Sequence, residues 1–136
     1  MMISVEHIGI AVRNLSDSIP LYEKLLNTFC YKQELVESEG VKTAFLKTGE
    51  TKIELLESQE PDGVISRFID KKGEGIHHIA FEVADIEAEM NRLKKEGFVL
   101  LSEAPRAGAD NKLICFIHPR STAGVLIEIC MEKKPG

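Results

Sequence analysis

No apolar run in the chain approaches the roughly 20 residues that a bilayer span needs. The opening MMISVEHIGIAV has no basic stretch ahead of a signal-like apolar segment, so a cytoplasmic protein with no membrane partner is the expectation. Basic residues are the scarcer charge: 17 Lys and Arg stand against 22 Asp and Glu, a formal net charge of -5. That balance offers no broad basic surface to nucleic acid, while leaving room for a local basic pocket around a small anionic ligand. Cysteines number three, Cys30, Cys115 and Cys130, without any CxxC spacing, which disfavours a disulfide framework and a thiolate metal site. Low-complexity tracts and a glycine-rich phosphate loop are also missing, so no separate organic cofactor is expected.

With 43% hydrophobic residues over 136 positions and a mean hydropathy of -0.08, the chain can bury one sizeable core or two small ones. A single domain over residues 1–136 with two internal halves is the expectation. The first half opens with a strand in VEHIGIAV. A helix follows in NLSDSIPLYEKLLNTF, with Asn14 as its cap and Ile19, Tyr22, Leu25, Leu26 and Phe29 near one stripe. Pro20 falls in the second turn of that helix and is expected to delay it or kink its start. Strands are expected in YKQELVE, VKTAFLKTG and TKIELLE, then a connector whose middle forms a short helix through Val64, Phe68 and Ile69. The opening order then returns: a strand in IHHIAFEV, a helix over DIEAEMNRLKKEG capped by Asp85, and strands in FVLLS, KLICFIH and GVLIEICM.

The register of this repeat separates the adjacent histidines His77 and His78. His7-Ile8-Gly9-Ile10-Ala11-Val12 overlays His78-Ile79-Ala80-Phe81-Glu82-Val83 at an offset of 71, which also takes Asn14 to Asp85. His77 is therefore the additional histidine. Period-two alternation puts His7 on a face with Gly9 and Ala11, and His78 on a face with Ala80 and Glu82. His77 shares the Ile79, Phe81 and Val83 face and reads as a packing residue.

KIELLE overlays LIEICM at an offset of 74, matching Glu54 to Glu128. Each half thus supplies one histidine on its first strand and one glutamate among aliphatic neighbours on its last. A carboxylate in such a setting is costly to bury unless protonated, hydrogen-bonded, paired or bound to a cation. A lone strand histidine is more often structural than a ligand, and an alternating glutamate commonly faces water. The agreement of His7, Glu54, His78 and Glu128 across a duplicated topology favours a shared metal site. Two imidazole nitrogens and two carboxylate oxygens suit a borderline or hard divalent ion, without distinguishing cobalt, zinc, manganese, nickel and magnesium.

The strings VEHIGIAV, TKIELLE, IHHIAFEV, FIHPR and GVLIEI together resemble the vicinal oxygen chelate superfamily and, within it, the methylmalonyl-CoA epimerases, over approximately residues 4 to 131. The resemblance implies an α+β fold: two βαβββ modules, approximately 4–57 and 75–131, forming a curved mixed sheet around a metal-binding cavity. It implies His7, Glu54, His78 and Glu128 as metal ligands, a homodimer, and methylmalonyl-CoA as substrate. The implied reaction interconverts the R and S forms by α-proton removal and return through a metal-stabilised enolate.

Two proton-transfer groups are the simplest route to inversion. Glu128 is the candidate for one. Some relatives place a glutamate on the strand corresponding to VKTAF, but Thr43 stands there in this chain, and an alcohol is a poor base at neutral pH. Glu54, a bound water or a nearby acid is expected to take the second role. Arg106, Lys112 and Arg120 are local cations that could meet CoA phosphates, with Lys71 and Lys72 weaker candidates. The alternatives are a glyoxalase-type isomerase acting on a glutathione hemithioacetal, an iron-dependent ring-cleaving dioxygenase, and a non-enzymatic small-molecule binding or resistance protein. The dioxygenase is disfavoured because Glu54 exceeds its usual pattern of two histidines and one carboxylate.

Overall fold

The computed structural model describes residues 1–134, and the chain divides into two compact units, His7–His77 and Met1–Glu6 together with His78 onward. In the first unit, β1 (Ser4–Ala11) supplies its residues from His7. It is followed by α1 (Leu15–Leu26), β2 (Lys32–Val36), β3 (Val41–Thr48), β4 (Thr51–Ser58) and α2 (Val64–Lys72). The strands lie in the order β2-β3-β4-β1, with β1 parallel to β4 and the other neighbours antiparallel.

The start of α1 is fixed by side chains that meet its orphan amides. Asn14 accepts from the Ser16 amide at 2.9 Å, and Glu57 accepts from the Leu15 amide at 2.8 Å. Pro20 sits inside the helix and does not delay it, which corrects one expectation; what Pro20 forfeits is its own backbone donor. Asn27 ends the helix in the left-handed region at φ 55. Leu15, Ile19, Tyr22 and Leu26 pack on Val12, Ala44, Leu46 and Leu55. Leu25 and Phe29 are exposed instead of completing that stripe: Leu25 is rotated about 100° from Leu26, and Phe29 lies beyond the helix end.

In the second unit β5 (Gly75–Glu82), joined here from His78, leads into α3 (Ile86–Lys95), β6 (Arg106–Ala107), β7 (Lys112–Ile117) and β8 (Ile127–Glu132). The order is β5-β8-β7-β6, with β5 parallel to β8 and the rest antiparallel. Asp85 caps α3 by accepting from the Ala88 amide at 3.0 Å. Gly97, at φ +95, takes the chain out of the helix in a conformation that side chains disfavour. Ile86, Met90 and Leu93 pack against Cys115, Ile117 and Ile129.

Each half is a βαβββ module, α+β in class, with its helix on one face of its strands. One expected strand is absent: FVLLS forms only a single bridge, Leu100 to Ile117. The Leu101 amide donates to the Phe116 carbonyl, and the His118 amide to the Val99 carbonyl, each at 2.8 Å. Those two bonds flank one residue before the chain turns away at Ser102–Pro105. The second strand of the module in chain order is the two-residue β6, which the sequence pattern did not reveal.

Candidate metal centre

Strand alternation decides what faces away from α1 and α3. In the first unit Glu54 on β4 lies between Gly9 of β1 and Phe45 of β3. Directly paired residues project to the same face, so Glu54 shares its face with Phe45, with Thr43 two residues along β3, and with His7 two residues before Gly9. His7 Nδ1 and Glu54 Oε2 lie 3.1 Å apart, both side chains about 95% buried.

The second unit repeats the ladder with one change of residue. Glu128 on β8 lies between Ala80 of β5 and Phe116 of β7. His78 Nε2 and Glu128 Oε1 lie 3.3 Å apart at similar burial. The ring of His78 meets Phe116 edge to face, with centroids 5.5 Å apart and an interplanar angle of 85°. Each glutamate therefore has an imidazole on one side and a phenylalanine as its cross-strand neighbour.

The donor set passes a test of fit to a divalent ion. Two ligand atoms that share one ion at about 2.0–2.2 Å are about 2.8–3.6 Å apart across octahedral and tetrahedral geometry; the two imidazole-to-carboxylate separations, 3.1 and 3.3 Å, fall in that interval. Carboxylates buried this deeply are costly without a compensating cation or hydrogen bond. The buried histidine and glutamate groups are of the kind that chelates a divalent metal.

His77 has a different environment. It is half-buried against Phe68 of α2, with ring centroids 5.0 Å apart at 80°, and burial lowers its pKa to about 4. It packs as a neutral ring, as the register argument required. The basic candidates also separate. Lys112 is buried with its ammonium 3.8 Å from Glu6 and 3.4 Å from Glu132, so it is committed to two carboxylates. Arg106 is exposed, its guanidinium 5.8 Å from the centre of the Phe116 ring. Arg120 is exposed on the turn Pro119–Thr122. Lys71 and Lys72 end α2, with Lys72 5.8 Å from the Phe68 centroid.

Two features escaped the sequence reading. Phe45 and Phe116, the cross-strand partners of the glutamates, are themselves related by the offset of 71 found for the histidines, a signal that was there to use. Each also has a cation over its ring, Lys32 at 5.1 Å for Phe45 and Arg106 for Phe116.

The family model for the Glyoxalase/Bleomycin resistance protein/Dioxygenase superfamily matches residues 6–116. The chain belongs to this superfamily. It is 40% identical over 129 residues to the uncharacterized protein YqjC of Bacillus subtilis, covering 95% of this chain and 92% of that one. It is 36% identical over 126 residues to the mitochondrial methylmalonyl-CoA epimerase of Homo sapiens, covering 92% of this chain and 72% of the human protein. Among solved structures, Streptomyces coelicolor methylmalonyl-CoA epimerase in complex with 2-nitronate-propionyl-CoA superposes with a TM-score of 0.92 at 31% identity, over 98% of this chain and all of that one. The βαβββ duplication and the buried histidine–glutamate pairs are thus features of a vicinal oxygen chelate fold, and the likeness to methylmalonyl-CoA epimerases extends across nearly the whole chain.

Proposed function

We infer that the chain is a metal-dependent methylmalonyl-CoA epimerase, interconverting the R and S forms of its substrate. The observation that carries this reading is the buried histidine–glutamate pair at matching register in each module of a chain whose relatives include epimerases of that name. The proposed domain is single, residues 1–136, with modules at approximately 4–57 and 75–131. The proposed ligand set is His7, Glu54, His78 and Glu128, acting on one ion; matching register and a donor set of two imidazoles and two carboxylates support it.

The residues would divide the work as follows. His7 and His78 would offer nitrogen lone pairs to the ion, and Glu54, with Glu128 whenever it is ionised, would supply charge that offsets it. When bound, the ion supplies electrostatic stabilisation for the oxygen that gains charge as the α-proton leaves. Glu128 transfers one proton in addition to its ligand role, on the face of the α-carbon it serves. A second carboxylate, Glu54 or an acid beside it, transfers the other. Arg106 and Arg120, exposed and cationic, are the stronger remaining candidates for CoA phosphates, ahead of Lys71 and Lys72, since Lys112 is committed elsewhere.

A homodimer in the cytoplasm completes the proposed setting. Leu21 and Leu25, one turn apart on α1, and Phe29 beyond it are exposed, apolar surface of the kind a second copy covers. None of the three cysteines is in a disulfide, which suits a reducing compartment, and among the described residues no helix is long and apolar enough to cross a membrane.

Solvent exchange at the α-carbon tests the reading. In deuterated water the metal-loaded protein should exchange the α-proton of methylmalonyl-CoA and racemise it, and a chelator should stop both. Conversion of a glutathione hemithioacetal with no exchange on methylmalonyl-CoA would favour the glyoxalase-type alternative.

A further inference from the structure

We propose that Glu34 is the second catalytic base, acting from β2 over the position where Thr43 leaves β3 without a carboxylate. The inference rests on the epimerase reading above and assigns the proton transfer that reading leaves between Glu54 and a neighbouring acid.

The placement follows from register. Glu34 pairs directly with Thr43, and Thr43 with Leu56. Thr43 and Phe45 alternate onto one face of β3, and Phe45 pairs with Glu54. Glu34 therefore projects to the face that carries Glu54 and His7. Lys32, two residues before it, confirms the direction, because it pairs with Phe45 and its ammonium sits over that ring at 5.1 Å. Cβ atoms of a directly paired couple are about 4.5–5.5 Å apart, so a glutamate can extend across the small side chain of Thr43. Thr43 is itself fully buried, so its neighbours close over the short side chain.

The chemistry of the position suits a base. Glu34 keeps a side-chain exposure of 31%, and the Lys32 ammonium lies 3.5 Å from its Oε1. That exposure lets the carboxylate trade protons with water. Glu54 lacks that exposure: it is buried and 3.1 Å from His7. The second module underlines the choice, because the residue paired with Ile114, the counterpart of Thr43, is Arg106, which cannot serve as a base.

In the forward step the α C–H bond breaks and its proton bonds to the Glu34 carboxylate. The electron pair moves into the carbon–carbon bond toward the thioester carbonyl, whose oxygen takes the charge. Glu128, entering the turnover protonated, then gives its proton to the other face of the α-carbon. Glu34 is left protonated and Glu128 ionised, and exchange with water restores the starting state. The reverse reaction exchanges the two roles.

The test follows each epimer of methylmalonyl-CoA separately in deuterated water with excess divalent metal, after circular dichroism has shown that the variants are folded. Glu34→Gln should lower inversion roughly 100-fold to 10,000-fold while the α-proton of one epimer, the one presented to Glu128, still exchanges. Glu34→Asp, which keeps a carboxylate, should recover part of the loss. Gln33→Ala, an exposed neighbour on the other face of β2, should match the unmodified protein. Inversion by Glu34→Gln within about tenfold of the unmodified rate would overturn the assignment while leaving the epimerase reading standing. So would equal loss of exchange from both epimers. If the unmodified protein exchanges neither epimer, the substrate reading itself fails and the assignment with it.

Discussion

The two modules share an inner ladder and differ on their outermost strand. In the first, Glu54 stands between Gly9 and Phe45; in the second, Glu128 stands between Ala80 and Phe116. Each glutamate has a buried histidine within 3.3 Å. Outward from the ladder the likeness ends. β2 is five residues long and sets Glu34 beside Thr43, whereas β6 is two residues long and sets Arg106 beside Ile114. The duplicated part holds the groups a metal needs, and the divergent part supplies charges of opposite sign. The outermost strand thus carries a carboxylate in one module and a guanidinium in the other.

The largest expected effect comes from exchanging the two glutamates for amides. Glu128→Gln keeps an oxygen donor but loses a base. At metal saturation we predict a fall in inversion of roughly 100-fold to 10,000-fold, against less than about 100-fold for Glu54→Gln. Equal losses would make the modules equivalent in proton transfer. Next is metal affinity, read by isothermal titration. His78→Ala should weaken binding by more than about 100-fold, whereas His77→Ala, which removes a neutral packing ring, should stay within about tenfold. Unchanged affinity in His78→Ala would reject its ligand role.

Stability separates the phenylalanines. Phe45 is fully buried, so Phe45→Ala should cost about 3–5 kcal/mol in urea unfolding. Phe116, half-buried, should cost less; equal costs would show that the two ladders are packed alike. The smallest effect concerns acid. At the offset of 71, buried Ser18 of the first module corresponds to buried Glu89 of the second. Hydrogen bonds from Arg92 hold the Glu89 carboxyl below its usual value of 4.5, with a smaller contribution from the terminal amine. A depressed folded pKa means that its stabilisation is present above the unfolded value and lost as pH falls through the folded one. Glu89→Gln should therefore flatten the acid limb of the unfolding curve while lowering neutral stability by less than about 1 kcal/mol. An unchanged acid limb would remove Glu89 from that account.

What the sequence made legible follows the strength of its periodicity. His7 and His78 could be placed because VEHIGIAV and IHHIAFEV alternate over a full strand and repeat each other. Glu54 and Glu128 stood out as acids between aliphatic residues. The helix caps Asn14 and Asp85 were readable because their side-chain chemistry is local. Glu34 was not: Lys32, Gln33 and Glu34 show no apolar alternation, so the face of β2 is known only from its pairing with β3. FVLLS misled because four apolar residues in a row suggest a buried strand, yet Val99 and Leu101 are exposed. The strand that replaces it, Arg106–Ala107, is too short for any period to appear.

The central claim is that a histidine and a glutamate from each module hold a single ion, and metal stoichiometry in the intact chain tests it most directly. Titration followed by elemental analysis of the unmodified protein, His7→Ala and His78→Ala should find one tightly held divalent ion per chain, lost from both variants. Two ions per chain, each removed by only one of the substitutions, would show that the pairs are separate sites and contradict the account.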